Sequence, residues 1–89
     1  GPASVSAGPL WGPGADTEDG AITAAYARAR SAAAAGCRPA AGGCPDGKSC
    51  KYFEVTVSLN NIEERANPAN ANVTQYRASA TSTGRCQCE

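Results

Sequence analysis

Alternation of polar and apolar positions is clearest over KYFEVTVSL, residues 51–59, where Phe53, Val55, Val57 and Leu59 alternate with Tyr52, Glu54, Thr56 and Ser58. A period of two with one apolar side predicts a half-buried strand, the apolar set inward and the polar set wet. A second alternating stretch covers residues 73–83, with Tyr76, Ala78 and Ala80 inward. Between them, residues 60–72 are rich in Asn and Ala, contain Pro68, and read as a polar connection. Val5 between Ser4 and Ser6 suggests a short strand over residues 3–7, and the Gly/Pro-rich residues 8–16 read as a loop. The period then becomes helical. Asp16 or Thr17 caps the helix, and Glu18 and Asp19 place negative charge at its positive end. Ile22, Tyr26, Ala29 and Ala33 form its inward stripe, with Arg28 and Arg30 beside it. Gly36 is expected to end it in a left-handed cap. Gly20, in the first turns, has no evident role in the pattern.

Residues 37–50 have almost no apolar side chain to bury, so order there must come from sulfur: Cys37, Cys44 and Cys50 lie among Pro39, Gly42, Gly43, Pro45 and Gly47. Cys86 and Cys88 close the chain. If the alternation survives Gly84, itself a bulge or turn candidate, both point the same way as Ala78 and Ala80, toward the helix. Cys37, one turn beyond Ala33, is then a natural partner for one of them. Leaving out one Cys and pairing the other four gives fifteen frameworks, and spacing alone does not choose among them.

At 89 residues the chain is one small domain, whose limited core makes covalent ties valuable. Five Cys in so short a chain point to an oxidising compartment, secreted or periplasmic. Ala abundance and the excess of Arg over Lys are typical of a GC-rich bacterial genome. The net charge is zero, with no basic stripe to capture nucleic acid or an anionic membrane. The longest apolar-looking run, residues 32–35, cannot span a bilayer. Gly1-Pro2 resembles the scar of a fusion-tag protease, which leaves residues 3–89 as the natural domain. The absence of Met fits a chain whose leader has been removed or omitted.

The chain has no His, which removes the commonest general base. Asp16, Glu18 and Asp19 belong to a helix start, Glu63 and Glu64 to a polar connection, and Asp46, Glu54 and Glu89 complete the carboxylates. None is marked as a pair held across an apolar cleft, so catalysis is not expected. Cys44, Cys50, Cys86 and Cys88 are enough for a four-thiolate zinc site, but they lack the usual Cys-x₂-Cys knuckles. Disulfides are the preferred reading, and neither metal nor cofactor is expected. Asn72-Val73-Thr74 fits the N-glycosylation triplet and reads as a chance match.

The one Trp, Trp11, sits among Gly8, Pro9, Gly12, Pro13 and Gly14. An indole in a rigid frame is either a platform on which a sugar ring stacks, its ordering cost settled at folding, or a lid folded back over the core. The run Ala7-Gly8-Pro9-Leu10-Trp11, followed by an Ala-rich helix, resembles the opening of MVL-type mannan-binding lectin domains. Gln75-Tyr76-Arg77 looks like that family's Gly-Gln-Trp element, with Tyr76 in the Trp position, and Cys86-Gln87-Cys88 looks like the Cys-x-Cys ending of some single-domain relatives. The family usually follows its Trp with Ser-Asn, where this chain has Gly12-Pro13. The resemblance implies a glycan site made by the loop around Trp11 and the turn after the Gln-Tyr strand.

These readings combine into an α+β domain, one helix on a small, mostly antiparallel sheet tied by disulfides. The expected function is non-catalytic binding of a mannan-like glycan. Trp11 would stack on the sugar, Gly8, Leu10 and Gly12 would shape the site, and Gln75, Tyr76 or Arg77 would contribute from their strand. Gln75 and Arg77 point away from Tyr76, so only one of these groups shares a face with Trp11. The rival expectation is a small secreted protein-binding domain: an inhibitor, an immunity-like protein or a subunit of a surface assembly. Trp11, or the exposed edge of the strand from Tyr52 to Leu59, would then be the anchor.

Overall fold

The computed structural model describes residues 3–39 and 44–89; Gly1-Pro2 and Gly42-Gly43 lie outside them. Strand β1 (Ser4–Trp11) leads to helix α1 (Glu18–Ala34), then to β2 (Cys50–Asn67) and β3 (Asn70–Cys88). The sheet is antiparallel in the order β1-β3-β2, so the last strand is central. The α+β expectation holds, but strands dominate: β2 runs through residues expected as a connection, and β1 runs through Gly8 to Trp11, expected as a loop.

Thr17 is the N-cap of α1, and its hydroxyl accepts a 3.0 Å bond from the Gly20 N–H. A Cβ on Gly20 would lie 3.0 Å from that same oxygen, so glycine leaves the cap uncrowded. The helix ends differently from expectation. Ala35 caps it in a right-handed conformation, and Gly36 is not among the glycines with positive φ. Gly36 is small for another reason: a Cβ there would meet the Val5 side chain at 3.5 Å and the Ala33 carbonyl at 3.2 Å.

The core is made of alanine. Ala21, Ala25 and Ala29 of α1 pack on Ala78 and Ala80 of β3, while Ile22, Tyr26 and Tyr76 flank them. The buried stripe is therefore Ala21-Ala25-Ala29-Ala33, one residue out of phase at its start with the expected Ile22-Tyr26 pair. Closeness explains this. A Cβ on Gly12 would stand 2.8 Å from the Ala25 nitrogen, so the helix backbone lies almost on the chain leaving β1 and has no room for larger side chains.

Two bulges decide which way β2 faces. Glu54 pairs with Gly84 and Thr56 with Thr83, so Val55 is an extra residue; Leu59 pairs with Ala80 and Asn61 with Ser79, so Asn60 is another. Each insertion shifts the alternation by one. Val57 and Leu59 fall opposite Ser82 and Ala80 on the helix side, as expected. Before the first bulge the order is reversed: Tyr52 and Glu54 face the helix, while Phe53 is 44% exposed on the other side. Gly84 accommodates the kink, since a Cβ there would sit 2.1 Å from the Phe53 carbonyl oxygen.

Disulfides Cys37–Cys86 and Cys44–Cys88 tie the segment after α1 to the end of β3. Of the two partners left open for Cys37, the bond goes to Cys86, on the helix side with Ala78 and Ala80. The molecule is 54 Å long, about twice the length of its 17-residue helix, so the β2–β3 hairpin projects beyond it. At its tip Asn67 Oδ1 accepts from the Ala69 N–H and Asn70 Oδ1 from the Asn72 N–H.

Candidate functional site

The helix covers one face of the sheet. Cross-strand partners share a face, so the register sorts the side chains on the other. Ser4, Ser6 and Trp11 of β1 lie there with Gln75, Arg77, Ser79, Thr81, Thr83 and Arg85 of β3. From β2 come Phe53, Thr56, Ser58, Asn61 and Glu63. This open face is largely hydroxyl, amide and charge, with an aromatic ring toward either end. Six residues of β3, about 20 Å, separate the Trp11 row from the Phe53 row.

Trp11 is 37% exposed, and the Arg77 guanidinium carbon lies 4.7 Å from its ring centroid, in cation–π contact. Arg77 is in turn paired with Glu63, its Nε donating to Oε1 at 2.7 Å. Ser79 is the register partner of both Trp11 and Asn61 and is 1% exposed. Its hydroxyl has no hydrogen-bond partner, an uncommon state for a buried polar atom. Gln75 lies against Gly14 and accepts a 2.9 Å bond from Arg65 Nε.

The residues singled out from sequence therefore divide. Trp11, Gln75 and Arg77 share the open face. Tyr76 lies on the helix side against the alanine core, and Leu10 pairs with Ala80 there. Gly12 is buried under the helix and donates its N–H to the Ala78 carbonyl at 2.8 Å. Gly8 has φ 123° and forms part of the irregularity between Ala7 and Leu10 that sets the pairing of Trp11. Gly8 and Gly12 thus set the position of Trp11, while Leu10 and Tyr76 turn to the other side of the sheet. One groove is lined by Glu18, Ile62, Glu63, Glu64 and Tyr76 and so borders the Arg77 partner, and another by Ser4, Phe53, Arg85, Cys86 and Gln87. Trp11 lies outside both groove linings, which suits a flat platform better than an enclosing pocket.

Sequence reasoning missed a polar network on the covered side because it placed Tyr52 and Glu54 in water. The Tyr52 hydroxyl lies 2.6 Å from Ser82 Oγ, which donates to Glu54 Oε2 at 2.6 Å, and Arg30 Nε donates to the same oxygen at 3.1 Å. With the Ser82 proton committed to Glu54, Tyr52 is the donor to Ser82. The Ser82 bond holds the Glu54 carboxyl below its ordinary value of 4.5, against the opposing effect of burial and with help from Arg30. Because the folded value is lowered, ionised Glu54 contributes stability above the unfolded pKa, and the contribution is lost as pH falls through the folded one. Ser82→Ala is expected to raise the Glu54 midpoint, read by carboxyl NMR, and to reduce the acid dependence of unfolding. An unchanged midpoint would remove Ser82 as the main cause.

Compared with protein-family models, curated proteins and solved structures, the chain shows no significant match.

Proposed function

We propose that the open face of the sheet is a carbohydrate-binding surface of a secreted or periplasmic, non-catalytic module. The carrying observation is Trp11, partly exposed on a face of hydroxyl, amide and charged groups and braced by the Arg77–Glu63 pair. Sugars present C–H faces to aromatic rings and hydroxyls to just such neighbours. Arg77 fixes the ring before binding, which lowers the ordering cost. Phe53, about 20 Å away, offers a second apolar contact for an extended glycan. Ser79, the register partner of Trp11, adds a hydroxyl with no hydrogen-bond partner beneath the same row. A mannose-rich glycan is the first ligand to test, on the resemblance of Ala7–Trp11. The two disulfides are in keeping with an oxidising compartment.

Protein binding by strand addition is the weaker reading. β2 is a long edge strand, but its bulges at Val55 and Asn60 interrupt the straight ladder that an added strand would need.

Emission from the single Trp reports on residue 11 alone. Titration with mannose-rich oligosaccharides is expected to shift it and saturate. Trp11→Ala, with its circular dichroism unchanged, is expected to weaken binding about thirtyfold or more, or about 2 kcal/mol, measured by calorimetry. Emission indifferent to a broad panel of glycans would overturn the proposal.

A further inference from the structure

Cys50 is the free cysteine, half-buried at the start of β2. It is not isolated. Its Sγ and those of Cys37 and Cys86 all lie within 4.8 Å of one another, and the last two are already joined. Cys50 is thus a thiol held beside a disulfide, the arrangement from which thiol–disulfide exchange starts.

We infer that these three sulfurs form an internal exchange centre, in which Cys50 takes Cys37 from Cys86. The Cys50 thiol gives its proton to solvent, and the thiolate attacks Cys37 Sγ. A Cys50–Cys37 bond forms and the Cys37–Cys86 bond breaks. The electron pair stays on Cys86 Sγ, which takes a proton. One disulfide and one thiol enter and leave, so no oxidant or reductant is needed.

Strand geometry selects Cys37 as the sulfur attacked. Cys50 is the register partner of Cys88, and Cys86 is the partner of Tyr52, so Cys50 and Cys86 are diagonal neighbours on hydrogen-bonded strands. Diagonal positions lie about 7–8 Å apart, beyond the usual disulfide span of about 6.8 Å between Cα atoms. Cys37 follows α1 outside any regular element, so no strand register fixes its separation from Cys50. Cys86, 1% exposed, would remain as a neutral buried thiol, which behaves as a small apolar side chain. The exchange would move the tie beyond α1 from the central strand to the edge strand. The domain would then have two covalent forms whose interconversion is set by thiolate supply.

Tryptic fragments distinguish the two forms. Cleavage after Arg30, Lys48, Lys51 and Arg85, with none at Arg38-Pro39, yields fragments 31–48, 49–51 and 86–89. The protein would be incubated at graded pH without reductant, quenched in acid, blocked with N-ethylmaleimide and mapped by mass spectrometry. In the starting form, fragment 49–51 is released carrying the label on Cys50. The expected result is a time-dependent loss of that fragment into a three-fragment species carrying the label on Cys86. Its rate should rise with pH, because the thiolate is the attacking species. Cys50→Ser should show no label at any pH. A label that stays on Cys50 throughout would overturn the inference, as would one that migrates to Cys37, Cys44 or Cys88.

Discussion

Reducing both disulfides is expected to unfold the domain outright. Among the described residues the largest side chains fully buried are Cys86, Ser79 and Ser82, and the apolar centre is five alanines. A methyl group buries little area, so the hydrophobic term is small for a chain of this length. The bonds span 49 and 44 residues of sequence. On the chain-entropy account, closing a loop of that size is worth about 4 kcal/mol. The loops overlap, so the second bond adds less than the first. Even so, their joint contribution rivals the whole expected stability of about 4–13 kcal/mol for 89 residues. A phosphine reductant under native conditions should abolish the helical far-UV dichroism and collapse amide-exchange protection in β3. Retention of a cooperative melt within about 5 °C of the oxidised protein would show that the alanine packing suffices alone.

The features legible in sequence were those with a local cause. Thr17 and the acidic turn after it mark the start of α1, because an N-cap satisfies donors within three residues. Cys86 and Cys88 follow Ala78 and Ala80 on one face because β3 has no extra residue between them, and that placed Cys37 opposite its partner. The failures came from pairing. Val55 bulges because of how β2 meets β3 around Gly84, and that one residue sends Phe53 outward and Tyr52 inward. The Tyr52–Ser82–Glu54–Arg30 network was hidden by the same shift, since Glu54 in an alternating strand looks like a wet residue. The strand over Gly8 to Trp11 was hidden by its turn-forming residues, which sit at an irregularity in the β1–β3 register. Of the candidate site, Trp11 stood out by composition, while its pairing with Arg77 and Glu63 depended on three strands coming together.

Ala25→Leu is expected to lower the melting midpoint by about 10–20 °C, through overpacking of up to about 3 kcal/mol. Ala25 has no exposure, and the chain at Gly12 leaves only 2.8 Å between an added Cβ and the Ala25 nitrogen. A larger side chain must lift α1 from β1 and β3, which separates Ala21 and Ala29 from Ala78 and Ala80 as well. Gly12→Ala attacks the same contact from the strand side, so the two changes should be non-additive when combined. Ala27, exposed on the same helix, is the control: Ala27→Leu should stay within about 0.5 kcal/mol of the parent. The contact also positions Trp11, since Gly12 is its neighbour and bonds the Ala78 carbonyl. Displacing the helix should therefore disturb the Trp11–Arg77 stack and shift the indole emission even below the melting transition. If Ala25→Leu melts like Ala27→Leu with unchanged emission, close helix–strand packing is not what holds Trp11 on the open face.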